Sequence, residues 1–261
     1  MKNKRGSVME RIPSWMWIII SFLVAMVVWT LLSVNPQTAR SFPNVLRVVE
    51  SIQKMITRGV LFKDITSSMI SSCSGFVIGF ILSIPVAFLM AWYLPVRNII
   101  GPWIQFIRNI PALAYVPLIV ISAGVGRRPQ IIVISLAVFM TSTIVIYQGI
   151  ISIDLTLIKA ARVLGATDRD IFTRVTLPAV FPHIITSMRL SAAGALTTLI
   201  AAESTGAANG LGMRIRNLNN TFESEPMLLY IIIIGIIGIT VEKLIRMLES
   251  RLTRWQEKRE I

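Results

Sequence analysis

The sequence predicts an all-α fold: one polytopic membrane bundle of six transmembrane helices, with a polar two-helix loop between the fourth and the fifth. Three observations carry that expectation. The 261-residue chain is 54% hydrophobic, above the roughly 45–50% apolar share, glycine included, of soluble domains. The surplus gathers in blocks near the ~20 residues that a bilayer requires. The formal charge of +13 lies mainly between and beyond those blocks. In a soluble protein such a charge would suggest nucleic acid. Here membrane lipid headgroups and topology account for it, and no nucleic-acid partner is expected. The one cysteine, Cys73, excludes an internal disulfide and a cysteine metal cluster. The one histidine, His183, removes most metal and triad chemistry. No metal and no cofactor are expected, and residues 1–261 read as a single membrane domain.

The first span covers about 15–34, after a basic segment with Lys2, Lys4, Arg5 and Arg11. Its apolar run exceeds that of a secretory signal and lacks a clear A-x-A site, so it is read as a retained helix. Residues 35–67 are mixed, with Pro36 and Pro43 at the start. Phe42, Val45, Leu46, Val49 and Ile52 suggest an amphipathic interfacial helix, continued by Ile56, Val60 and Leu61. The second span, 68–93, carries Gly75 and Gly79 at the spacing that lets helices approach closely, and Pro85 as a passive kink. A short turn is expected over Leu94 to Gly101.

The segment FIRNIPALAYVPL, with Arg108, Pro111 and Pro117, opens the third span, 106–124. Its irregular backbone suits a buried or cavity-lining position. Gly124 and Gly126 form the following turn. In the fourth span, 130–150, Thr141, Ser142 and Thr143 are expected to return hydrogen bonds to the helix backbone. The fifth, 180–202, holds His183 and Arg189, the latter expected to snorkel. Glu203 closes that span. An acid there is costly against lipid and should face the bundle interior or water. Pairing with Arg214 or Arg216 and a place on a solute pathway are both open to it. The sixth span, 227–245, has Gly235 and Gly238 as packing positions, and Trp255 in the tail is read as an interface anchor.

The longest polar interruption is the loop over 154–178. Asp154 can cap a helix from Leu155, with Ile158, Ala161 and Leu164 on one face. Gly165 suits the left-handed position that ends it. Thr167 and Asp170 have capping-box spacing for a second short helix, which Pro178 is expected to end. That helix sets Ile171, Phe172 and Val175 against Arg169 and Arg174. The periodicity alone fits a hairpin lying on lipid as well as one docked in a protein groove.

The order Ala160-Ala161, Gly165, Leu177-Pro178 resembles the Glu-Ala-Ala loop of ABC importer permeases, with Lys159 standing at the glutamate position. The segment around Arg108 and the run Glu203–Gly206 followed by Gly210-Leu211-Gly212 are similar to the nitrate, taurine and alkanesulfonate permeases, and the resemblance covers about 68–255. It implies that Lys159, Ala160, Ala161, Gly165, Leu177 and Pro178 form the coupling helix, the segment that sits in a groove of a cytoplasmic ATPase. Glu203 and Arg108 are candidates for a pathway or structural role. The implied partners are cytoplasmic ATP-binding subunits, a second permease copy in a homodimer, and an extracytoplasmic solute-binding protein.

Of the 26 Lys and Arg, 16 fall on the side of both termini, nine on the other, and Arg189 lies within a span. The positive-inside rule therefore places both termini and the loop in the cytoplasm, and the resemblance implies a bacterial-type inner membrane. No G-x-x-x-x-G-K-[ST], H-E-x-x-H or G-x-S-x-G occurs, so ATP hydrolysis belongs to a partner and the chain is not expected to be an enzyme. A secondary transporter driven by an ion gradient is the alternative. It predicts transport without an ATPase, and no convincing internal repeat supports it. A scaffolding role would give no substrate-dependent ATPase stimulation.

Overall fold

The computed structural model describes residues 13–252. The readings on Lys2, Lys4, Arg5, Arg11 and Trp255 fall outside the described residues. Ten helices follow in order: α1 Ser14–Val34, α2 Val45–Thr57, α3 Leu61–Trp92, α4 Leu94–Arg108, α5 Ala112–Ala123, α6 Arg127–Ile151, α7 Leu155–Val163, α8 Asp168–Gly206, α9 Leu211–Asn220 and α10 Ser224–Leu252. There is no strand among the described residues. Five helices (α1, α3, α6, α8 and α10) are long and apolar enough to cross a membrane, and the α4–α5 pair, bent by 104°, makes a sixth if it is one broken span.

The core is a three-helix seam in which α6 packs against both α3 and α8. Small residues on α3 make this possible. A Cβ at Gly79 would lie 2.3 Å from the Ser135 carbonyl oxygen on α6, so that crossing admits only glycine. Ile134, Val138, Ala195 and Leu199 fill the seam. The expected backbone bonds of Ser142 and Thr143 do not form. Both hydroxyls are buried without a hydrogen-bond partner among the described residues. Arg189 has a partner on the last helix. It reaches Glu249, near the end of α10, at 3.2 Å, a half-buried ion pair between neighbouring helices.

The third span, expected to be irregular, is broken in two, and its first half begins earlier than the expected bound of 106. Leu94–Gly101 is the start of helix α4, with Pro95 in the first turn, where a missing N–H costs nothing. Pro111 pushes the residue before it out of helical geometry and sets the bend between α4 and α5. Arg108 therefore lies exposed in the last turn of α4, outside any straight span.

α2 is the expected amphipathic helix, yet it does not continue into Leu61. The chain breaks at Arg58 and Gly59, and Leu61 starts α3. Val48 and Met55 bury one side of α2 against Leu211, Leu218 and Tyr230 of α9 and α10. By contrast, α1 is exposed along nearly its whole length and is tied down where Trp29 Nε1 donates to the Pro43 carbonyl at 3.0 Å. The turn at Gly126 donates its N–H to the Gly206 carbonyl at 3.1 Å, joining the start of α6 to the end of α8.

Candidate functional site

The loop over 154–178 folds into a rigid elbow. The Asp154 carboxylate accepts from Thr156 N at 2.8 Å and caps α7, and that bond holds its carboxyl below the usual aspartate range. At the other end of α7, Gly165 has φ +81°. Its N–H donates to the Arg162 carbonyl at 3.0 Å, and Ala166 N donates to the Ala161 carbonyl at 3.0 Å. This pair of bonds is a Schellman cap, which satisfies the last carbonyls of α7 and needs a left-handed residue where glycine sits. Two residues later the capping box forms as the spacing predicts: Asp170 N donates to Thr167 Oγ1 at 3.3 Å, and Thr167 N donates to Asp170 Oδ2 at 3.2 Å. Arg162 and Asp168 bridge the elbow at 3.3 Å.

The tip of the elbow is apolar and bare. Val163 and Leu164 are each 87% exposed. Leu164 thus leaves the face that Ile158 and Ala161 share, because it is the cap residue and no longer follows the helical repeat. Lys159, Ala160 and Gly165 are exposed beside the tip. The base of the elbow is anchored. Ile171 is buried, and the Phe172 ring meets the Phe88 and Trp92 rings of α3 edge-on, with both pairs of centroids 5.4 Å apart. Arg174 faces outward, as expected.

Pro178 does not end the second helix. Within α8 the chain widens into a π turn at Ile171–Thr176, in which Leu177 N donates to the Phe172 carbonyl, and the helix then runs on to Gly206 without a break. A proline ring clashes with the carbonyl four residues back, and the wider turn moves that carbonyl aside. Leu177 and Pro178 accordingly sit on the stem and not on the tip with Lys159, Ala160 and Gly165.

At the opposite end of the bundle, four helices meet in a buried polar latch. Asp64, fully buried on α3, accepts from Arg214 Nε at 2.8 Å, Tyr230 OH at 3.0 Å and Gly210 N at 3.1 Å. The Arg214 guanidinium is held above its ordinary value by that carboxylate. Glu203, fully buried on α8, accepts from Ser68 Oγ at 2.6 Å and Gly212 N at 2.8 Å, and Ser68 Oγ in turn accepts from Leu211 N at 2.9 Å. Glu203 thus faces the interior, as expected, but it pairs with neither arginine. Arg214 goes to Asp64, and Arg216 donates to the Ser204 carbonyl. The latch clamps the start of α9 onto α3.

Sequence reasoning missed Asp64, Ser68 and Tyr230. A signal was present. Asp64, Ser68, Ser72, Gly75, Gly79 and Ser83 recur at helical spacing and are all buried on one side of α3. Assigning Asp64 to the interfacial segment cut that stripe at its first member.

Comparisons with known proteins agree with this architecture. Residues 75–254 match the family described as "Binding-protein-dependent transport system inner membrane component". A "Probable ABC transporter permease protein" of Brucella abortus is 40% identical over 240 residues, covering 92% of this chain and 95% of that protein. The taurine transport system permease protein TauC of Escherichia coli is 35% identical over 175 residues, 67% of this chain and 64% of that one. Among solved structures, the inward-facing MetNI methionine ABC transporter superposes with a TM-score of 0.62 at 18% identity, over 76% of this chain and 96% of that chain. An amino acid ABC transporter with histidines gives 0.63 at 18% identity, over 80% and 98%. These two likenesses are likenesses of fold. The family match and the Brucella relative together establish that this chain belongs to the binding-protein-dependent inner membrane components and is an ABC transporter permease.

Proposed function

We propose that the chain forms the translocation path of an ATP-driven importer for a small solute of the taurine or sulfonate kind, delivered by an extracytoplasmic binding protein. The observation that carries this reading is the elbow. It is a doubly capped, rigid corner with a bare apolar tip at Val163 and Leu164 and an aromatic anchor on α3. Bare apolar side chains on a fixed corner suit a groove in a partner protein. Lys159 then faces an acid of that groove or solvent, and Ala160, Ala161 and Gly165 carry the close approach.

In this reading the elbow lies in the cytoplasm against an ATPase subunit, and two copies of the chain enclose the path. Closure of the ATPase dimer moves the elbow as a rigid body. α8 carries that movement to the far end, and the path alternates between outward and inward states. The similarity to TauC supports the substrate class.

Gly165→Asp tests the docking. The backbone there is left-handed, and no atom lies within 4 Å of the added Cβ, so the new side chain points at whatever occupies the elbow. Copurification of the ATPase and uptake of labelled taurine should both fall. Survival of both would remove the elbow from the coupling path. Uptake that persists without the ATPase and collapses with the ion gradient would establish a secondary transporter instead.

A further inference from the structure

α4 is divided lengthwise into three faces. Val96, Ile100, Ile104 and Ile107 pack with Met90 of α3 and with Met140 and Ile144 of α6. Ile99, Trp103 and Phe106 form a second face, apolar and exposed. The third face is polar. Arg97, Gly101, Gln105 and Arg108 follow one another at spacings of four, four and three residues, with Asn98 beside them. No Asp or Glu occurs between Asp64 and Asp154. Neither α4 nor α6 therefore carries an acid, and the acid of α3 is Asp64, held in the latch at the far end.

At the elbow end of the bundle, the polar face of α4 borders a cavity of about 530 Å³ against α3 and α6. Small-molecule sites run from roughly 300 to 1,000 Å³. Arg97, Asn98 and Gln105 line the cavity from α4, and Tyr147 and Gln148 line it from α6. None of these five side chains has a hydrogen-bond or ion-pair partner among the described residues. The rest of the wall is Met90, Gly101, Pro102 and Ile144. Met90 precedes Trp92, the anchor of the elbow, and Gln148 stands in the last turn of α6, just before the elbow begins.

These groups select the chemistry of an occupant. A free guanidinium is a planar fork that pairs with two oxygens of an oxyanion. The amides and the phenol can donate to a third oxygen, and Met90 and Ile144 can cover a short alkyl chain. The wall holds no carboxylate to receive an ammonium. A lipid phosphate shares the oxyanion chemistry. However, Ile99, Trp103 and Phe106, the face suited to acyl chains, lie on the other side of α4. A lipid seated in the cavity would lay its chains over polar groups.

We infer that this cavity is an oxyanion site for the transported solute, in which Arg97 grips a sulfonate, and that it favours an alkanesulfonate over the zwitterion taurine. The inference rests on the importer reading, which supplies the solute, while the charge of the cavity supplies the preference. Arg108, the pathway candidate, stands on the same face of α4 one turn beyond Gln105, outside the cavity.

The test uses the permease with its ATPase in phosphatidylcholine nanodiscs and radiolabelled butanesulfonate as the probe. The solute-binding protein is left out of the binding assay so that it cannot capture the label. Saturable binding is expected, with taurine competing about tenfold less well. Arg97→Gln should weaken binding by about tenfold or more. Its thermal midpoint should stay unchanged, because Arg97 is exposed and holds no partner among the described residues. Arg97→Lys keeps the charge without the fork and should recover part of the binding.

The site is overturned, and the importer reading left standing, by any of four results. These are no saturable binding in a complex that takes up butanesulfonate once the binding protein is added, binding unshifted by Arg97→Gln, taurine competing as well as butanesulfonate, or Arg97-dependent retention of phosphatidylglycerol with butanesulfonate unbound. The last would give the arginine to a lipid headgroup. A complex that takes up neither taurine nor butanesulfonate with the binding protein present overturns the importer reading, and the site falls with it.

Discussion

Two helix ends of the same design stand at opposite ends of this molecule. At α7 the Schellman cap turns on Gly165, and at α9 it turns on Phe222. The hydrogen bonds match, yet one position holds the residue with the lowest cost in a left-handed backbone and the other holds a bulky aromatic. Their surroundings differ in the same sense. Around Gly165 the structure is secured locally, by Asp154, the capping box and the Arg162–Asp168 bridge. Around Phe222 it is secured from below, by a latch that joins α3, α8, α9 and α10. A corner that supports itself is economical in strain. A corner bolted to the bundle can carry it.

The comparison breaks first at the latch. Asp64→Asn leaves the Arg214 guanidinium beside a neutral amide in a largely buried site, and should destabilise the permease by about 3–5 kcal/mol in denaturant unfolding. A loss below about 1 kcal/mol would mean that the latch does not hold α9. Gly79→Ala probes the seam beneath both ends, where the added methyl meets the Ser135 carbonyl, and a cost of about 1–3 kcal/mol is expected from the same measurement.

The two caps should then respond with opposite signs. Gly165→Ala forces a Cβ into the left-handed region and should cost about 1 kcal/mol, whereas Phe222→Gly removes such a Cβ and should gain about 0.5–1 kcal/mol. Matching signs would show that the two ends are not the same device. The smallest effect is expected at Arg162→Ala, where an exposed ion pair is lost for under about 0.5 kcal/mol. A larger loss would show that the elbow depends on that bridge and not on its caps.

Local chemistry was legible in the sequence wherever one segment satisfies itself. The capping Asp154, the left-handed Gly165 and the Thr167–Asp170 box are encoded within a few residues and form as the spacing predicts. The apolar blocks placed the long helices, because a bilayer filters composition more than detail. Features that depend on distant partners were not legible. Asp64 and Tyr230 are 166 residues apart, and no local pattern pairs them. Pro178 reads as a stop, and only the π turn before it lets the helix run on. Arg108 belongs to the irregular third span in sequence and to the last turn of α4 in space, since the bend at Pro111 decides which side of the break it occupies.

The π turn also has a mechanical consequence. Because it carries the chain past Pro178 without a break, α8 is one rod of 39 residues, about 58 Å long at 1.5 Å per residue. The hydrocarbon layer is only about 30 Å thick. The rod therefore stands proud of the membrane like the shaft of a piston. In the coupling proposed above, a push at the elbow is carried to Glu203 along a single shaft, with no break at Pro178.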